Sequence, residues 1–300
     1  MKVRKPGKLI IGDPEERDFS QKPVKDTAYL FGPFVGELSW EAYRFAPHVI
    51  YFARRNPKVV IIVFTRPERF DLYGSYADIL VPLKVGNLNQ ECFGLRRLSI
   101  KEYKWNAMRF RGKYSRRFDV ALHRYPDISG DRYKLKWQFS RYKMSYKFNP
   151  RVENEVVVSD FVEKLRKRII VVDTSWVRKV GEKEKILNRL TNLLGKYAFF
   201  VYDGELSYER SGVFFPVRDF PLSKPKVTLL GCMISLLRKS FATIGNVSSP
   251  ISHLSLLLKV PLLTLQEKLD NDGVNLLNPL RTQVTRVEDI NSLEERLKKL

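Results

Sequence analysis

Residues 241–267 read FATIGNVSSPISHLSLLLKVPLLTLQE. The pattern predicts a buried strand over 241–244, a small polar loop over 245–249, a helix opened by Pro250 and a second strand over 262–265. Proline suits a first helical turn, because the N–H it lacks would have no intrahelical partner there. Such a loop aims main-chain N–H groups and the positive end of a helix dipole at whatever lies above it, an arrangement suited to a phosphate. Gly245 permits close approach, Ser248 and Ser249 add hydroxyl donors, and His253 lies on the first helical turn. On the local pattern alone, an ordinary α/β crossover in which His253 caps or packs explains the same residues.

The alternation of strand and helix extends outward from this stretch. Residues 168–173 (RIIVVD) and 198–202 (AFFVY) are short apolar runs of the kind shown by strands covered on both faces. Between them, Ile186, Leu187, Leu190 and Leu194 are spaced for one face of a helix over 182–194, which Gly195 ends. Further helices are expected over 229–238 and, charged and amphipathic, over 288–300. The first half repeats the rhythm. A strand over 28–31 ends in Gly32, and a helix over 40–54 carries Trp40, Tyr43, Phe45, Val49 and Ile50 on one face. Strands are expected over 59–64, 79–81 and 120–122. Alternating elements of this kind build parallel sheets with helices on both sides. The expected fold is α/β, with two Rossmann-like domains facing across a cleft. Residues 1–26 read as a loose polar arm, 27–155 as an N-terminal domain and 156–300 as a C-terminal domain, with a linker near 150–165.

The chain has 300 residues and a net charge of +21. That length suffices for two domains. A charge of that size implies an anionic partner: nucleic acid, an acidic membrane surface or an anionic substrate. Cys92 and Cys232 lie far apart and suggest no disulfide framework, so a reducing compartment, the cytoplasm, is the default. The N-terminus lacks the apolar core of a signal peptide, and no apolar segment reaches the length of a membrane span. Peripheral attachment to a membrane stays open.

The charge is unevenly spread. Residues 101–151 hold fifteen Lys and Arg against four Asp and Glu, about half of the whole excess. Aromatic residues, among them Tyr103, Trp105, Phe110 and Tyr146, are interleaved with them. Cations hold phosphates, and flat rings stack on bases or sit at a lipid interface. Arg109, Arg111, Lys113, Arg116, Arg117, Lys134, Lys136, Trp137 and Arg141 form the candidate surface for a polyanionic acceptor. The alternation Tyr133, Leu135, Trp137, Phe139 also fits a half-buried strand, in which these side chains serve packing.

The 241–267 stretch resembles the nucleotide-sugar-binding segment of GT-B glycosyltransferases, in particular the heptosyltransferase-like branch (family 9). The pattern there is roughly G-N-D-S-G-P-x-H-L-A, then a short helix and V-P. Gly245, Asn246, Ser248, Pro250, His253, Leu254, Val260 and Pro261 follow it. Val247 stands in place of the Asp, Ser249 in place of the second Gly, and one extra residue separates Pro250 from His253. The resemblance covers about 25 residues closely and the remainder only by layout.

The resemblance implies a UDP-, GDP- or ADP-sugar as donor, with no metal and no further cofactor. It assigns donor binding to Gly245, Asn246, Ser248, Ser249 and His253. Ser175 and Arg178 join them from the loop after 168–173, where relatives place a phosphate-contacting residue; Lys179, Asp203 and Gly204 are further candidates. Relatives carry a Gly-Asp pair in the first strand–helix loop, with the acid as base. Gly36 and Glu37 occupy that place, which makes Glu37 the candidate base and Glu41 a second choice. A carboxylate there would take the acceptor hydroxyl proton as the anomeric carbon is attacked. Capping of its own helix is the alternative for Glu37.

Other chemistries find no support in the residues. Asp270-Asn271-Asp272 precedes Gly273 and reads as a surface turn rather than a metal site. His48, His123 and His253 are too dispersed for zinc. No P-loop and no nucleophile elbow occurs. Three readings follow. The first is a glycosyltransferase whose acceptor is a hydroxylated base in DNA, as in phage-type modification, with the base extruded to be reached. The second is a transferase acting on a lipid-linked or surface glycan at an anionic membrane. The third is a non-catalytic nucleic-acid-binding protein on a GT-B scaffold, which Val247 leaves open.

Overall fold

Apolar runs become parallel strands in both halves of the chain. The structure is a computed structural model and describes residues 10–11, 27–32, 38, 41–74, 76–82, 119–123, 150–174, 177, 180–191, 193, 196–202, 214–216, 227–247, 249–264, 284–287, 289 and 292–300. The chain divides into two compact units, Met1–Asn149 and Pro150–Leu300.

The described part of the first unit holds a five-stranded parallel sheet. Its strands are β1 (Ile10–Ile11), β2 (Thr27–Phe31), β3 (Val60–Thr65), β4 (Ile79–Pro82) and β5 (Asp119–His123), in the order β1-β4-β3-β2-β5. Strand β3 has Ile61 to Thr65 buried without interruption, as a strand between two helical layers must be. After β2, Gly32 adopts φ 100°, a conformation open to glycine without strain. A π-helical turn (Glu41–Phe45) leads into α1 (Ala46–Arg55), which buries Ala46, Val49, Ile50 and Ala53 along one stripe. Phe31 and Tyr29 of β2 pack against Phe52 of α1, with ring centroids 5.3 and 4.5 Å apart. The arm expected to be loose over 1–26 contributes β1, which pairs with Ile79 and Leu80. Two isoleucines within a charged stretch carry too little periodicity to be recognised alone.

The second unit holds a six-stranded parallel sheet among its described residues. Its elements are α2 (Val152–Val162), β6 (Arg168–Asp173), α3 (Val180–Thr191), β7 (Tyr197–Tyr202), β8 (Phe214–Pro216), α4 (Leu229–Lys239), β9 (Ser240–Ile244), α5 (Pro250–Leu257), β10 (Leu262–Thr264), β11 (Val284–Arg286) and α6 (Leu293–Lys299). The strand order is β8-β7-β6-β9-β10-β11. Numbered along the chain this is 3-2-1-4-5-6, the order of a Rossmann sheet.

Side chains alternate across the strands and divide the core. Ile170 and Val172 of β6, with Tyr197, Phe199 and Val201 of β7, face Leu187 and Leu190 of α3 and Leu293 and Leu297 of α6. The intervening Phe200 meets Phe161 of α2, ring centroids 5.8 Å apart. The linker expected near 150–165 is therefore largely helix: α2 lies against the sheet and against α4, and it contains the 155/156 division expected from the sequence. Its apolar positions are broken by Glu153, Asn154, Glu155 and Asp160, which hid the helix. Asn154 is buried, and its Oδ1 accepts the Thr228 N–H at 2.8 Å, just before α4.

Candidate functional site

In the six-stranded sheet the chain runs outward from β6 through β7 to β8, then returns to place β9 on the other side of β6. The strand order reverses between β6 and β9. In open α/β sheets ligands bind outside the carboxyl ends of the strands at such a switch point, because the two following loops diverge and leave a crevice. The residues at those two ends are Asp173, which closes β6, and Gly245, which follows β9.

The β9–α5 loop is tightly built. A Cβ on Gly245 would lie 2.8 Å from Ser252 Oγ and 3.2 Å from Asp173 Cβ. Glycine is required there for space between strand and helix, not for its backbone angles. Ser249, in extended conformation, caps α5: its Oγ accepts the Ser252 N–H at 3.1 Å. The same hydroxyl donates to Asp173 Oδ2 and lies 3.1 Å from Ser252 Oγ. The Ser249 N–H donates to the Asn246 carbonyl at 3.0 Å, closing the loop on itself. Pro250 occupies the first helical turn as the sequence predicts. Val247, in the place of the acid that the resemblance calls for, is buried.

The hydrogen bonds within the loop leave fewer anion donors than the sequence suggests. Of the first main-chain groups of α5, Ser249 N–H bonds Asn246, Pro250 has none, Ser252 N–H bonds Ser249 Oγ and His253 N–H bonds the Ser249 carbonyl. Ile251 N–H is the one first-turn donor that no described residue takes. The hydroxyl of Ser249, expected to meet a phosphate, is engaged with Asp173 and the helix end. The dipole of α5 still points to the crevice.

His253 is buried within α5. Loss of hydration holds its pKa well down, at about 4, and the Val247 backbone nearby opposes that shift in part. The imidazole is neutral at ordinary pH, so it brings no cationic charge to the site. Deeper in the helix, the Ser255 and Thr243 hydroxyls bond each other. Small polar side chains on this face let α5 lie close against β9.

The β6 loop is described in part. Thr174 N–H donates to the Tyr202 carbonyl at 2.9 Å, and Val177 N–H to the Thr174 carbonyl at 3.0 Å. Ser175, Arg178 and Lys179 lie outside the described residues, as do Ser248, Asp203, Gly204 and the Asp270–Asp272 string. Among the described residues no group of three or more His, Cys, Asp or Glu is placed to hold a metal, and no helix is long and apolar enough to cross a membrane.

In the first unit, Glu37 lies outside the described residues. The second choice, Glu41, is placed clearly. Its Oε2 accepts from Arg69 Nη1 at 2.8 Å, and its Oε1 accepts from the Thr65 and Tyr73 hydroxyls at 2.6 Å each. Both members of the Glu41–Arg69 pair are fully buried. A carboxylate so enclosed holds the end of β3 to the π-helical turn. The basic residues from Arg109 to Arg141, Lys113, Lys134, Lys136 and Trp137 among them, lie outside the described residues.

Asp173 is the residue whose part the sequence left unassigned. The strand motif RIIVVD ends in an acid, and that was the available signal. Its partnership with Ser249 depends on β6 and β9 being neighbours, which no local pattern states.

No protein-family model matches the chain. No curated protein matches it either. Among solved structures it is similar to a glycosyl transferase family 9 protein from Veillonella parvula, with 12% identity, 92% of this chain and 90% of that chain covered, and a TM-score of 0.53. It also aligns with an E. coli heptosyltransferase with ADP at 9% identity, covering 91% and 97% of the two chains, with a TM-score of 0.47. The first similarity, with the two parallel sheets, shows a GT-B-like fold of two Rossmann-like units.

Proposed function

We propose that this protein is a glycosyltransferase that moves a sugar from a nucleotide-sugar donor to an acceptor hydroxyl. The observation that carries the reading is the β9–α5 loop at the switch point of a 3-2-1-4-5-6 sheet, with Gly245 fitted between Ser252 and Asp173. The donor diphosphate would lie over this loop, near Ile251 N–H and the α5 dipole, with Asn246 and Ser248 at its edge and Ser175 and Arg178 reaching in from the β6 loop. Ser249 keeps the loop in shape. As the C1–O bond to phosphate breaks, the electron pair leaves with the nucleoside diphosphate. Arg178 and the helix end would stabilise that charge without a metal. Glu37 would take the proton of the attacking hydroxyl.

For the acceptor, a lipid-linked or surface glycan at an anionic membrane is favoured over a hydroxylated base in DNA. The loop residues resemble those of heptosyltransferase-like enzymes, and the fold similarity is to a family 9 transferase. The basic, aromatic segment 101–151 would meet the anionic surface that carries the glycan.

The test is calorimetric titration with UDP-, GDP- and ADP-sugars, followed by mass spectrometry of products from a lipid-linked saccharide and from hydroxymethylated DNA. Sugar transfer to the saccharide supports the reading in full. Transfer to DNA instead overturns the choice of acceptor. Absence of any nucleotide binding, alongside salt-sensitive DNA binding, overturns the transferase reading and leaves a binding protein on this fold.

A further inference from the structure

The loop 245–249 contains no acid of its own, yet a buried carboxylate lies beneath it. Asp173 comes from the end of β6, on the far side of the switch point from β9. Its Oδ2 accepts the Ser249 proton, and the same Ser249 oxygen accepts the Ser252 N–H. A hydroxyl that must donate to one group and accept from another has a single orientation. A carboxylate is the partner that fixes it, because it only accepts and its charge strengthens the bond. The missing Cβ at Gly245 allows Asp173 to come this near.

We infer that Asp173 is a positioning residue for the donor loop: acting through Ser249, it holds the β9–α5 turn in its binding shape before any nucleotide arrives. The inference rests on the donor-site reading above. The contact ties the end of β6 to the β9–α5 turn, the two sides of the switch point. Ordering the loop in advance removes a cost that would otherwise be met on binding, and this appears in donor affinity rather than in the chemical step. Neutral oxygen at the same position suffices for the geometry, so Asp173→Asn keeps the loop while Asp173→Ala releases it. Released, the loop binds nucleotide about tenfold more weakly, the change expected from one lost charge-assisted hydrogen bond.

The test compares wild type, Asp173→Ala, Asp173→Asn and Ser249→Ala by amide hydrogen exchange over 245–252 and by donor KM and kcat. Expected are faster exchange and an increase in KM of about tenfold for Asp173→Ala and Ser249→Ala, with kcat within about twofold. Asp173→Asn, which keeps an acceptor oxygen without the charge, should recover much of both, and the double variant should be no weaker than either single one. Exchange over 245–252 that is unchanged in Asp173→Ala overturns the inference whether or not nucleotide binds. An Asn variant as impaired as Ser249→Ala overturns it too, and this pair decides should Asp173→Ala fail to fold. No nucleotide binding by wild type overturns instead the donor-site reading on which the inference stands.

Discussion

Glu41 and Arg69 meet at 2.8 Å with both side chains fully buried. The Thr65 and Tyr73 hydroxyls fill the second carboxylate oxygen. A buried pair of this kind contributes little net stability when intact, since both charges have lost their hydration. Removing one partner leaves the other charged and enclosed. Arg69→Met should therefore destabilise the protein by about 3–5 kcal/mol, read from urea denaturation. Glu41→Met/Arg69→Met should recover much of that loss. A single variant that unfolds at the wild-type midpoint would contradict the enclosed geometry.

Gly231 sets the approach of α4 to α2. A Cβ there would lie 2.2 Å from Asn154 Nδ2. Gly231→Ala should cost about 1–3 kcal/mol through overpacking, despite the better helix propensity of alanine. Asn154→Ala costs stability separately, because the Thr228 N–H loses its acceptor. In the double variant the clash is gone, so the two effects should sum to less than additivity demands.

His253 makes stability depend on pH in a defined direction. Its folded pKa of about 4 lies below the ordinary 6.5. The unfolded chain thus takes up the proton first, and stability falls as pH drops from 6.5 towards 4. Above that window the contribution is constant. Across it the loss should amount to about 3 kcal/mol, from 1.36 kcal/mol per unit. Denaturation midpoints at pH 7 and pH 4.5 measure it, and His253→Asn should flatten this part of the profile.

Lys259 ends α5 in the left-handed region, with φ 63°. Its N–H bonds the Leu256 carbonyl at 3.1 Å and the Val260 N–H bonds the Ser255 carbonyl at 2.9 Å, which together form a Schellman cap. A side chain is strained there and glycine is not. Lys259→Gly should stabilise the protein by about 0.5–1 kcal/mol in thermal unfolding, the relief of strain exceeding the added freedom of the unfolded chain.

Glu37→Gln should abolish sugar transfer while leaving donor titration unchanged, since the proposed base acts on the acceptor. A variant that retains transfer removes Glu37 from the mechanism.

The longer strands were legible because each is a property of a few neighbouring residues, whereas β1, β8 and β11, of two or three residues each, were not. RIIVVD and VIIVFT are apolar on both faces, and a strand inside two helical layers must be. The same holds for the start of α5, where Pro250 marks the first turn. The two parallel sheets followed from the alternation of these elements. Helix α2 escaped notice because its apolar side is interrupted by acids and by Asn154, whose partner Thr228 lies 74 residues away.

Sequence spacing sufficed to point to the β9–α5 loop and to the proline of its first helical turn, because turns are built from residues a few places apart, but it did not assign the cap to Ser249. It did not show which groups meet there. Tertiary structure decided that Glu41 is enclosed by Arg69, Thr65 and Tyr73, and that His253 lies buried. It also joined Asp173 to Ser249 across 76 residues. That contact exists because β9 returns to the side of β6 opposite β7, and strand order is settled by the packing of whole layers rather than by any local pattern.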